Sequence, residues 1–86
     1  MAQNVTTSPA QNLVMQAILA GGGSVSSKEL NDARWVNLRR GIRVSPADVS
    51  VAVQELVDLC VIEKGGRGSV HLSDASQAWY EREGII

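Results

Sequence analysis

The amino-acid sequence predicts a mainly α-helical domain carrying one small β-hairpin, and three observations support that fold class. Apolar residues recur at three- and four-residue steps in several segments, each of which follows a helix-capping residue or a proline. Two short stretches, Val61–Lys64 and Ser69–Leu72, flank Gly65-Gly66-Arg67-Gly68, a glycine-rich run of the kind that closes a hairpin. The 86 residues are 44% hydrophobic and 20% charged, a composition that suits one folded domain and argues against wholesale disorder. No repeat or linker divides the chain into two domains.

Met1–Ala10 has no apolar period and reads as a flexible leader, with a single domain over residues 11–86. Leu13, Val14, Ala17 and Ile18 form one helical stripe, predicting a first helix over 11–20 that Gly21-Gly22-Gly23 stops. Ser24-Val25-Ser26 can supply one or two extended residues. Ser26-Ser27-Lys28-Glu29 is a capping-box pattern and predicts a second helix over 26–37. Leu30 and Ala33 are expected to face inward, with Trp35, Val36 or Leu38 continuing the apolar side.

Ser45-Pro46-Ala47-Asp48 is the clearest helix start: a capping serine, a proline at the first helical position and an acid in the first turn. Val49, Val53, Leu56 and Cys60 then repeat at steps of four, three and four, predicting a helix over 46–59 with that face buried. Ala47, Ser50, Val51, Gln54, Glu55 and Asp58 fall on the opposite face. The hairpin follows over 61–72. Asp74 is expected to cap a last helix over 74–83, with Gln77 reciprocating and Ala75, Ala78 and Trp79 turned inward.

Composition narrows the function. The single cysteine, Cys60, excludes an internal disulfide and a cysteine-based zinc site, and reads as a small core residue. The single histidine, His71, on a strand, reads as a surface or half-buried residue, and a histidine-rich metal site or a Ser–His–Asp triad is not expected. With no Phe in the chain, Trp35 and Trp79 read as core anchors. No carboxylate pair, nucleophile–base pair or metal cluster suggests an enzyme, and no cofactor is expected. No apolar run reaches the roughly 18 residues of a membrane span. The polar, uncharged start does not read as a secretory signal, so a cytoplasmic or nucleoid-associated protein is expected.

Charge is segregated. Eight Lys and Arg against nine Asp and Glu give a net −1. Residues 1–43 carry five basic and two acidic side chains, residues 44–86 three basic and seven acidic ones. The densest basic stretch runs from Arg39 through Arg40 to Arg43.

The order helix, short extended piece, helix, helix, glycine-tipped hairpin resembles the winged helix-turn-helix domain from Leu13 to about Leu72. The resemblance is closest in VSPADVSVAVQELVDLCVIEKGGRGSVHLSD, where Gly65–Gly68 match the turn of the wing and Leu30 matches the inward leucine of the second helix. The chain departs from that family in the long stretch Asn31–Val44, and in Cys60, where glycine is common. The resemblance implies a three-helix core plus wing and C-terminal helix, with the third helix in the DNA major groove and the wing on the backbone or minor groove. On that reading Ser50 and Gln54 address base edges and Ala47 and Val51 meet thymine methyls. Lys28, Arg34, Arg39, Arg40, Arg43, Lys64 and Arg67 serve phosphates, with Arg67 able to enter a narrow minor groove. The expected function is a small DNA-binding regulator of prokaryotic or phage type, able to act as a homodimer on double-stranded DNA. The alternative is a winged-helix module that binds protein through an acidic third-helix face, as a complex subunit or an inhibitor of a host protein. That alternative rests on the absence of any Lys or Arg between Ser45 and Asp58.

Overall fold

Among the described residues, each of four α-helices is opened by a serine. In the computed structural model, which describes residues 8–86, Ser8 caps α1 (Pro9–Ala20) by accepting the Gln11 amide. Ser26 caps α2 (Ser27–Arg39), accepting from the Glu29 amide at 3.1 Å while Glu29 accepts from the Ser26 amide at 2.9 Å. Ser45 and Asp48 make the same reciprocal pair at the start of α3 (Pro46–Asp58). Ser73 caps α4 (Asp74–Arg82). The leader expected over Met1–Ala10 lies outside the described residues as far as Thr7, and Pro9 already belongs to α1.

Between α1 and α2 lies β1 (Ser24–Val25), and β2 (Ile62–Lys64) and β3 (Val70–Leu72) form the hairpin. The three make one antiparallel sheet in the order β1-β3-β2, with Val25 opposite Val70 and Ile62 opposite Leu72. The described residues are therefore mainly helical, with four α-helices and a small sheet, and their element order is compatible with a winged-helix topology. Gly23 makes the entry to β1 possible. Its φ of +120° is a conformation L side chains rarely adopt, and a Cβ there would stand 2.6 Å from Gln77 Oε1.

The core gathers Leu13, Val14 and Ile18 from α1, Ala52, Val53 and Leu56 from α3, and Val25, Ile62, Val70 and Leu72 from the sheet. Leu30 joins from α2 and Val44 from the loop before α3. Burying each of these larger aliphatic side chains contributes about 1.5–3 kcal/mol.

Four expectations about the core are corrected. Trp35, Val36 and Leu38 do not continue the inward side of α2; all three are exposed. At 100° per residue Leu30, Ala33 and Asn37 share the face turned to the protein, Trp35 falls opposite it, and Val36 falls on the flank. Cys60 is exposed because α3 ends at Asp58, two residues short of carrying it inward, and Cys60 itself turns to φ 62°. On α4, Ala75 and Ala78 are exposed, while Trp79 and Tyr80 are half-buried, Tyr80 packs on the core, and their rings meet edge to face at 5.0 Å. The cap of α4 is Ser73 and not Asp74, because the buried Ser73 hydroxyl both accepts from the Ser76 amide and donates to the Cys60 carbonyl at 2.8 Å. Gln77 donates along the helix to Glu81 instead.

Candidate nucleic-acid interface

The long basic stretch after Asn31 is divided by the end of α2, which carries Arg34 and Arg39 on different sides and leaves Arg40 at its C-cap and Arg43 in the loop before α3. Ser27, Asn31 and Arg34, spaced four and three residues apart, lie along one side of α2 and line a groove that α3 and the hairpin complete. From α3 come Pro46, Val49, Ser50 and Val53; from the hairpin come Lys64 and Gly68. The groove measures about 370 Å³. It carries two cations, Arg34 and Lys64, and no carboxylate among its lining residues.

Arg34 is positioned by its own helix. Its Nη2 donates to Asn31 Oδ1 at 3.2 Å, and the guanidinium carbon sits 4.8 Å from the Trp35 ring centroid, within cation–π range. Its Nε is buried and finds no acceptor among the described residues. Lys64 is held from the other side: Nζ donates to Gln54 Oε1 at 2.9 Å, and Gln54 Nε2 donates in turn to Asp58 Oδ1 at 2.9 Å. This Lys64–Gln54–Asp58 chain ties the edge strand to the outer surface of α3. A base edge addressed by Gln54 would have to exchange with Lys64 or Asp58.

The hairpin tip is tight. The Gly65 amide donates to the Ser69 carbonyl at 2.8 Å, and the Ser69 hydroxyl donates to the Gly66 carbonyl at 2.8 Å. Gly66–Gly68 form a single 3-10 turn in which Arg67, at φ 59°, takes a left-handed conformation uncommon outside glycine and asparagine. Arg67 is exposed at the tip, and Gly68 lies against the first turn of α2, where a Cβ would come 3.1 Å from Ser27 Cβ.

The acidic groups of α3 are engaged within the protein. Asp48 closes the Ser45 capping box, Asp58 accepts from Gln54, and Glu55 Oε1 accepts from Gln11 Nε2 of α1 at 2.9 Å. Asp48 and Glu55 line a second groove with Arg43 and Val51, on the side of α3 nearer the start of α1. One cation against two carboxylates gives that groove the opposite charge to the first.

The residues predicted for an interface thus separate. Ser50 and Lys64 share the basic groove, with Gln54 hydrogen-bonded to Lys64. Val51 and Arg43 share the acidic one. Lys28, Ala47 and Arg67 are exposed, and they, Arg39 and Arg40 line neither groove. Asn31 joins the groove without being among the residues expected at an interface, and its place between Ser27 and Arg34 at helical spacing is the sequence signal for it. No protein-family model, no curated protein and no solved structure matches this chain.

Proposed function

We propose that the chain is a winged-helix domain that binds double-stranded DNA through the groove between α2, α3 and the hairpin. The observation behind this reading is the charge of that groove: Arg34 and Lys64 flank Ser50 with no carboxylate among the lining residues, and the acids of α3 are hydrogen-bonded within the protein. Ser50 and Ala47 are then the residues that meet base edges, Arg34 and Lys64 take phosphates on either side, and Arg67 reaches the backbone or minor groove from the wing tip.

Fluorescence anisotropy with short labelled duplexes over a salt series tests it. Three phosphate contacts predict a slope of log K against log[salt] of roughly −2.7, and Lys64→Ala should reduce its magnitude by about 0.9. Arg67→Ala should weaken A·T-rich sites most if that side chain enters the minor groove. No rise in anisotropy of any duplex at low salt would refute the proposal. It would also favour a second reading, a protein-binding module, which the acidic groove around the 58%-exposed Val51 supports.

A further inference from the structure

Among the described residues, four of the seven exposed large apolar side chains, Trp35, Val36, Leu38 and Ile42, fall within eight positions of the sequence. Trp35 is 47% exposed and Val36 44%, on the side of α2 turned away from the core. That side also carries a charge pattern. Asp32, Trp35, Val36 and Arg39 stand at helical spacing on one face, with the acid toward the N-terminal end and the base toward the C-terminal end.

This face is complementary to itself. Two copies of α2 laid antiparallel about a two-fold axis through the Trp35–Val36 midpoint bring Trp35 of each against Val36 of the other. Asp32 and Arg39 are equidistant from that midpoint, so each Asp32 meets Arg39 of the partner, and the pair forms twice. Lys28 lies one turn beyond Asp32 at the rim, where water screens it. In a parallel arrangement Asp32 would face Asp32 and Arg39 would face Arg39.

We infer that the outer face of α2 is a homodimer interface, occupied by the same face of a second copy of this chain in antiparallel orientation. The basic groove lies on a different side of α2, along Ser27, Asn31 and Arg34, so the dimer leaves it open. The inference does not depend on DNA binding. Because a single pair of helices buries little surface, the association is weak, with a Kd of roughly 10–100 μM.

Sedimentation equilibrium of the full chain under reducing conditions, without DNA, tests it. The 9.2 kDa chain should approach twice that mass as concentration rises through this range. Asp32→Arg or Arg39→Asp alone places like charges opposite one another and should raise Kd at least about tenfold, whereas the double variant restores opposite charges and should recover wild-type association. Trp35→Asp should abolish the dimer. All these positions are exposed or half out of the protein, so helical circular dichroism and the thermal midpoint report separately that each variant is folded. A wild-type chain that stays monomeric through millimolar concentration overturns the inference, and so does a folded Trp35→Asp variant that still dimerises. A double variant that fails to regain association overturns the antiparallel pairing.

Discussion

Replacing Cys60 by glycine should stabilise the protein. Cys60 is the first residue after the C-cap of α3 and has φ 62°. Both of its backbone groups are committed: its amide donates to the Val57 carbonyl at 2.9 Å, and its carbonyl accepts the buried Ser73 hydroxyl at 2.8 Å. The left-handed conformation is therefore imposed from both sides, and a residue with a Cβ carries a strain of about 1–2 kcal/mol there. Glycine removes that strain but has more unfolded-state freedom to lose, which returns up to about 1 kcal/mol. The exposed thiol gives up little packing when deleted. The net expectation is a gain of about 0.5–1 kcal/mol for Cys60→Gly, read as a rise of about 4 °C in Tm for a domain this small. Cys60→Ala keeps the Cβ and should melt with the wild type. Thermal and urea melts of the three proteins in reductant, which prevents disulfide-linked dimers, decide the matter. If Cys60→Gly is no more stable than Cys60→Ala, the left-handed strain at this position is not there.

Leu56→Ala should destabilise the domain by about 2–5 kcal/mol, because Leu56 is fully buried at the centre of the core face of α3; a urea midpoint close to wild type would contradict that placement. The Glu29 carboxyl is held below its ordinary value of 4.5 by hydrogen bonds from the Ser26 backbone and hydroxyl. A depressed folded-state pKa means that its contribution is present above the ordinary value and is lost as pH falls through the depressed one. Urea midpoints of wild type and Glu29→Gln should therefore differ most near neutral pH and converge in acid, whereas a difference that grows on acidification would reverse the sign.

The helices were legible because their starts are written in short-range chemistry. Serine followed three residues later by an acid, and proline at the first helical position, specify α2 and α3 without reference to anything distant. Leu13, Val14 and Ile18 were equally readable from their spacing. What could not be read is which side of α2 meets the body, since Leu30 alone is buried on that helix and its period competes with the stronger apolar signal of Trp35, Val36 and Leu38. The Asp74 expectation failed for a tertiary reason: Ser73 is selected by its bond to Cys60, thirteen residues away. The site was legible in residue type and not in grouping. Lys64 and Ser50 converge, but the separation of Arg43 from Arg34 depends on where α2 ends and how α3 packs on α1, which no local pattern encodes.

The sheet's small size governs how the protein can stick to itself. Its two edges are β1, only two residues long, and β2, only three, and β2 ends in Glu63 and Lys64, both exposed. Edges this short, one of them charged, offer no ladder on which another chain could add a strand. Runaway β-type aggregation, the usual hazard of a small protein with a sheet, is thereby discouraged in the native state. A hairpin without Ser24–Val25 beside it would leave the β1-facing edge of β3 unpaired. The two residues of β1 act in this sense as a cover as much as a strand. Destabilising that segment should increase precipitation before it lowers the melting temperature.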